Sequence, residues 1–302
     1  MSVRHFLSLL DLDRQEVLHL LKRAAELKRW RGEGRRPPLF ERRVLAMIFE
    51  KSSTRTRVSF EAVMAEGGGK AIFLSTRESQ VGRGEPPEDT ARVLAEMSDA
   101  IMVRTYEHEI VERIAAHSSV PVINGLTNSL HPCQVLADLM TFHEHRGDIQ
   151  RRKVAWVGDG NNMCNSYINA ANLMDFDLRV ATPEGFAPSG RDALSENAPV
   201  EFMHDAKQAV RDAHLVVTDV WASMGQEKES ETRKEVFQPF QVTAGLMSLA
   251  APDALFMHCL PAHRGEEVTA EVIDHPDSVV WDEAGNRLHA QKALLEFLLN
   301  TT

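Results

Sequence analysis

Apolar and polar positions along the chain follow two rhythms. Between residues 11 and 27, Val17, Leu20, Leu21, Ala24 and Leu27 recur at helical spacing with charges on the opposite face, which predicts an amphipathic helix. Residues 32–38 hold two glycines and two prolines and predict the loop that ends it. Short apolar runs and helical stretches then alternate. Strands are predicted at 44–49, 70–74, 100–104 and 120–124, and helices after them at 55–66, 88–97, 109–116 and 132–145. The pattern restarts with a strand at 154–158 and a helix at 162–174. Further strands are predicted at 178–182, 201–204, 215–219, 254–258 and 278–282, with a closing helix at 286–299.

Strands that alternate with helices imply a parallel sheet covered by helices on both faces. An unbroken apolar run such as Val44-Leu45-Ala46-Met47-Ile48-Phe49 suits a strand buried on both sides. The expected fold is α/β: two doubly wound parallel-sheet domains, with a boundary near the charged stretch 146–152. The 302 residues are enough for two cores. In such folds ligands bind beyond the carboxyl ends of the strands. The chemically rich residues follow strands as that rule requires: 52–57, Arg104, 131–134, 158–162, 219–225 and 258–263.

Charge and cysteine usage narrow the function class. A net charge of −10 argues against a general nucleic-acid or membrane-surface binder. The basic segment 28–36 is interrupted by Glu33 and two glycines and reads as a solvated loop. Three widely spaced cysteines, Cys133, Cys164 and Cys259, suggest no disulfide framework and fit a reducing cytosol. No secretory signal pattern opens the chain, and no run approaches the roughly 18 apolar residues that span a bilayer.

The stretch Ser52-Ser53-Thr54-Arg55-Thr56-Arg57 stands where a strand hands over to a helix. Helix N-termini expose unpaired N–H groups and carry partial positive charge, so they bind anions. Hydroxyls and planar guanidinium forks add phosphate-matching donors. A capped surface helix is the plain alternative. Arg104 and Arg287 are further cations for an anionic substrate, and His131 a hydrogen-bond donor. Arg57, two positions beyond Arg55, points away from it on a helix.

Two other chemistries fit less well. Gly158-Asp159-Gly160 follows a strand, as in dinucleotide-binding turns, but Met163 replaces the third glycine, and 181–183 offers no acidic residue. Asn161 and Asn162, opening the next helix, suit a polar ligand better. His131, Cys133, His258, Cys259 and His263 are zinc-type ligands without a metal-binding spacing, so no metal is expected. Buried thiols are the plain reading of Cys133 and Cys259.

Together these residues resemble the aspartate/ornithine carbamoyltransferase family. Ser52-Ser53-Thr54-Arg55-Thr56-Arg57 is similar to its carbamoyl-phosphate signature. His131-Pro132-Cys133-Gln134, His258-Cys259-Leu260-Pro261 and Asp219-Val220-Trp221-Ala222-Ser223-Met224-Gly225 are similar to the ornithine-type versions of its other motifs. The resemblance runs along essentially the whole chain. It implies a carbamoyl-phosphate-binding domain at 1–145 plus 287–302, an ornithine-binding domain at 146–286, and an active site in the cleft between them. Ser53, Thr54, Arg55, Thr56, Arg104 and Arg287 would hold the phosphate, joined by Gln80 from a neighbouring subunit of a homotrimer or an assembly of trimers. His131, Gln134 and Arg104 would hold the carbamoyl group, with Cys259 and the Leu260 backbone beside the reacting atoms. Asn162, Asp219, Ser223 and Met224 would hold ornithine.

The implied catalytic residues are Arg104, His131 and Cys259, and the implied cofactors are none. The implied activity converts carbamoyl phosphate and L-ornithine to L-citrulline and phosphate in the cytoplasm, with arginine biosynthesis favoured over arginine degradation. Aspartate and putrescine are rival acceptors within the family. A nicotinamide-dependent oxidoreductase and a catalytically silent homologue are readings from other classes. Gly285 stands where the family commonly has Glu, which bears on the support of Arg287.

Overall fold

Leu45, Ala46, Met47, Ile48 and Phe49 are all buried, so the strand they form has no solvent face and must lie inside a sheet. The structure is a computed structural model that describes residues 3–76, 84–193, 198–222 and 230–300. It divides into two units, Met1–Met140 with Gly285–Thr302, and Thr141–Ala284. Both division points fall inside helices.

The first unit carries α1 (Arg14–Gly32), β1 (Val44–Phe49), α2 (Thr54–Glu66), β2 (Lys70–Ser75), α3 (Pro87–Ala95), β3 (Ala100–Arg104), α4 (His108–His117), β4 (Val122–Leu126) and most of α5 (Pro132–Arg146). Its sheet is parallel, in the order β2-β1-β3-β4. Ile48, Ile101 and Val103 of the sheet pack with Ala91, Val111 and Ile114 of the helices. The start of α1 falls at Arg14 rather than residue 11 because Asp13 caps it: its carboxylate accepts the Glu16 N–H at 2.8 Å, and Glu16 returns the bond to the Asp13 N–H at 3.0 Å. Residues 9–11 make a separate 3₁₀ turn capped by Ser8.

The second unit carries β5 (Lys153–Val157), α6 (Asn162–Met174), β6 (Asp177–Ala181), β7 (Val200–Met203), α7 (Ala206–Val210), β8 (Leu215–Thr218), α8 (Ser230–Phe237), α9 (Ala244–Met247), β9 (Leu255–His258), α10 (Ala270–Ile273) and the start of α11 (Val280–Asn300). Its sheet is also parallel, in the order β7-β6-β5-β8-β9. Ala155, Val157, Val216 and Phe256 form a core with Ala209, Val210, Val242, Val272 and Val280.

One predicted strand is absent. Residues 278–282 contribute a single bridge, Phe256 to Ser278, and the helix predicted from residue 286 already begins at Val280. Asp282 and Glu283 lie in its first turn, where negative charge is favoured.

Each strand order has a switch point. In the first sheet β2 lies on one side of β1 and β3 on the other; in the second, β6 and β8 flank β5. The chain leaves such neighbouring strands in opposite directions, which opens a crevice at their carboxyl ends. The loops there are 50–53 after β1 and Thr105 onward after β3, then 158–161 after β5 and Asp219 onward after β8.

Candidate active site

At the first switch point α2 starts on Ser53, whose extended backbone and side chain cap the helix: its Oγ accepts the Thr56 N–H at 3.2 Å. Thr56 is fully buried, and its hydroxyl is a hub. Arg287 Nη2 donates to Thr56 Oγ1 at 2.7 Å, Arg104 Nη1 at 3.4 Å, and the Ser53 hydroxyl lies 3.1 Å away. Arg104 comes from the last residue of β3, and Arg287 from two turns into α11. Two buried guanidinium groups thus meet beside a helix N-terminus, an arrangement that favours a bound anion. Arg55 is half-buried on the same first turn, and Thr54 is exposed.

His131 is buried in the same unit. Burial first, then the charges of Arg287, Arg104 and Arg55, hold its imidazole well below the usual histidine range, so it is neutral at pH 7. A neutral imidazole keeps one N–H to donate and can accept at the other nitrogen. Gln134 is engaged at both ends of its amide: Oε1 accepts from Arg287 Nη1 and Nε2 donates to Asp138 Oδ1, each at 2.9 Å. Arg287 is therefore steadied by Thr56 and Gln134, not by residue 285, whose surroundings are open.

Arg57 is not part of this set. It pairs with Glu61 on its own helix at 2.8 Å and lies over the Phe73 ring at 3.9 Å. Lys51, which the sequence did not single out, is. Its ammonium donates to Asn128 Oδ1 at 2.5 Å and sits 4.4 Å from the Tyr106 ring centroid. Burial, then Arg104, push it down to about 8. Below that pH Lys51 adds a positive charge near Arg104; above it the charge is lost. Affinity for a phosphate-bearing substrate is expected to fall as pH rises through about 8. Lys51→Met should flatten that limb in a plot of KM against pH; an unchanged limb would assign it elsewhere.

At the second switch point Asn161 caps α6, its Oδ1 accepting the Met163 N–H at 2.9 Å and the Cys164 N–H at 3.2 Å. Its Nδ2 donates to Asp219 Oδ2 at 2.8 Å, and the half-buried Cys259 thiol donates to Asp219 Oδ1 at 3.1 Å. With the Val220 N–H, which donates to Oδ1 at 2.8 Å, three neutral donors aim the carboxylate. Asn162 is the first residue of α6, beside this pair. Asp219, His258 and Cys259 offer ligand atoms within 4.8 Å of one another. Both ring nitrogens of His258 are committed, however: Nδ1 accepts the Leu260 N–H at 2.9 Å and Nε2 faces Glu267 at 3.0 Å.

The other thiols are structural. Cys133 is buried, donates to the Asn124 carbonyl at 3.4 Å and is pushed up to about 12 by burial; burial also raises Cys164 well above its usual range. The Gly158-Asp159-Gly160 turn has a purpose other than a dinucleotide. A Cβ at Gly160 would lie 2.4 Å from the Phe186 carbonyl oxygen, so packing demands glycine. The Asp159 carboxylate is taken by Arg233 at 2.7 Å. Gln80, Ser223 and Met224 lie outside the described residues. Asn161 as the partner of Asp219, together with Lys51, Arg233 and Glu267, are what the sequence pattern did not single out. Sequence marks Asn161 as an amide that opens a helix and suits a polar ligand; its bond to Asp219, 58 residues away, has no local signal.

Comparison with known proteins covers nearly the whole chain. Residues 4–144 match the carbamoyl-P binding domain of aspartate/ornithine carbamoyltransferase, and residues 150–298 its Asp/Orn binding domain. The ornithine carbamoyltransferase of Nitrosococcus oceani is 60% identical over 299 residues, 99% of this chain and 98% of that protein. The anabolic ornithine carbamoyltransferase of Pseudomonas aeruginosa is 58% identical with the same coverage. Among solved structures, the ornithine carbamoyltransferase from Pyrococcus furiosus is 50% identical with a TM-score of 0.95, covering 100% of this chain and 98% of that one. The Burkholderia thailandensis enzyme is 52% identical with a TM-score of 0.91, covering 98% and 99%. With identity at this level over the full length of both chains, the protein belongs to the aspartate/ornithine carbamoyltransferase family.

Proposed function

We propose that the protein transfers the carbamoyl group of carbamoyl phosphate to the δ-amine of L-ornithine, giving L-citrulline and phosphate, in the biosynthetic direction. The observation that carries this reading is the convergence of Arg104 and Arg287 on the Thr56 hydroxyl at the start of α2, with neutral His131 under the influence of the same charges. The phosphate takes the N-terminus of α2 through Ser53, Thr54, Arg55 and Thr56, with Arg104 and Arg287, and with Gln80 of a neighbouring subunit. The carbamoyl oxygen faces Arg104 and His131, and Gln134 borders the carbamoyl nitrogen. Asn162, Asp219, Ser223 and Met224 take the α-amino and α-carboxylate groups of ornithine, and Cys259 with the Leu260 backbone adjoins its reacting amine.

The amine attacks in its neutral form. A C–N bond forms, negative charge grows on the carbamoyl oxygen, the C–O bond to phosphate then breaks, and the departing phosphate takes up the proton that the attacking nitrogen loses. Arg104 and His131 are aimed at that oxygen, each donor of this type being worth about 3 kcal/mol. The arginines around the phosphate stabilise the departing anion, and holding two substrates in line supplies much of the remainder. The chemistry requires no metal, nucleotide or covalent intermediate. Asp219 suits an acceptor with an ammonium group rather than the second carboxylate of aspartate. The anabolic assignment of the Pseudomonas relative supports the biosynthetic direction.

The reading includes a homotrimer and a cytoplasmic location. Val58 on α2 and Ile72 on the edge strand β2 are each about half exposed, apolar surface that a subunit contact would cover. Free buried thiols suit a reducing compartment, and no helix among the described residues is long and apolar enough to cross a membrane. Initial rates with ornithine, aspartate and putrescine test the function on one preparation whose mass is read by sedimentation. Citrulline formation by a trimer is expected; preference for another acceptor overturns the ornithine assignment, and a monomer the shared site.

A further inference from the structure

Glu267 is fully buried, as is His258, the last residue of β9. A buried carboxylate is costly unless several donors converge on it. Here two reach one oxygen: the His258 ring through Nε2 at 3.0 Å, and the His263 backbone N–H at 2.6 Å. These donors are the two ends of the segment 258–263, which contains Cys259 and Leu260. A second buried carboxylate, Glu283, accepts the His258 N–H at 2.9 Å. Two acidic side chains thus hold the ends of the segment, while Leu260 and Ala262 pack on the core of the second unit.

The backbone settles the tautomer. The Leu260 N–H can only donate, and it points at His258 Nδ1 at 2.9 Å, so Nδ1 is the acceptor and the ring proton sits on Nε2, facing Glu267. Leu260 has φ +57, a conformation that a branched residue adopts only when its surroundings impose it. The Leu260-to-His258 bond closes the turn in that conformation. Cys259 lies between these two fixed residues, and its thiol reaches Asp219 Oδ1 at 3.1 Å.

We propose that Glu267 is a positioning residue for carbamoyl transfer: through the His258 ring and the His263 amide it holds residues 258–263 in the conformation that directs the Cys259 thiol and the Leu260 backbone to the reacting atoms. This rests on the carbamoyl-transfer reading above. Glu267 itself touches no substrate. Its contribution is to fix a proton on Nε2, which leaves Nδ1 free to bind the Leu260 N–H.

The test combines kinetics with the state of the His258 ring. Glu267→Ala is expected to lower kcat by about 10- to 100-fold, the usual loss when the partner of an oriented histidine is removed. KM for carbamoyl phosphate should change by less than about twofold, because the phosphate-binding residues belong to the other unit. Glu267→Gln keeps an acceptor oxygen for both donors and is expected to restore kcat to within about threefold of the parent. His258→Asn keeps an oxygen for the Leu260 N–H but loses Glu267, and should cost about tenfold in kcat. It decides the matter even if Glu267→Ala does not fold. In the parent, ¹⁵N-histidine NMR should show the proton of His258 on Nε2. Equal losses in the Ala and Gln variants, full activity in His258→Asn, or a proton on Nδ1 overturns the proposal and leaves the transferase reading standing. Absence of citrulline formation by the parent overturns both.

Discussion

Arg55→Gly is expected to lower kcat/KM for citrulline formation by about 100- to 1,000-fold while the protein still folds. Arg55 is the second residue of α2 and half-buried, and its charge reaches His131. Charge-assisted bonds from a planar fork to phosphate are the strong kind, and removing one preaimed donor costs roughly 3–4 kcal/mol in the transition state. At 1.36 kcal/mol per tenfold that is two to three orders of magnitude. The structural cost is much smaller. Glycine in a helix costs about 1 kcal/mol, and the Ser53 cap and the Thr56 hub are untouched. Steady-state citrulline formation, read beside a thermal melt, separates the two. Retained activity would remove Arg55 from the site.

Asp219→Asn should act on the other substrate. The substitution keeps the shape but removes the carboxylate that three neutral donors, Asn161 Nδ2, the Cys259 thiol and the Val220 N–H, hold in place. Loss of a charge partner for an ammonium group costs a few kcal/mol when the pair is shielded from water. The expected result is a loss of about 100-fold or more in kcat/KM for ornithine, with carbamoyl-phosphate binding within about twofold of the parent. Folding should survive, because an amide oxygen still accepts from Asn161. An unchanged ornithine KM would reassign Asp219 to a structural role.

What could be read from sequence follows from where each signal resides. The strands β1 and β3 and the helix α6 were predicted to the residue, because unbroken apolar runs and a capping Asn161 are local signals. The start of α11 was missed because Ser278-Val279-Val280-Trp281-Asp282 looks like strand. After Val280 the buried positions of its first two turns, Glu283, Asn286 and Arg287, are polar, so apolar periodicity does not reveal the helix start. These polar groups are bonded: Glu283 accepts the His258 N–H, and Arg287 donates to Thr56 and Gln134.

The site divides the same way. Thr56, Arg104, His131 and Arg287 could be named because they stand in motifs. Their assembly around one hydroxyl could not, since Arg287 and Thr56 are 231 residues apart. Arg57 was expected to turn away, and its pairing with Glu61 follows from i,i+4 spacing. Glu267 and Lys51 carry no such mark. Their importance arises from burial beside a specific partner, which no spacing encodes.

The two switch points hold opposite charges. One gathers arginines and the other a carboxylate, and each is built where its own sheet reverses strand order. Recognition of the group donor and recognition of the acceptor are therefore inherited on separate scaffolds. On the carbamoyl-transfer reading, such a chain changes its acceptor by rewriting a few loop residues after β5 and β8, with Arg104, His131 and the loop after β9 left in place.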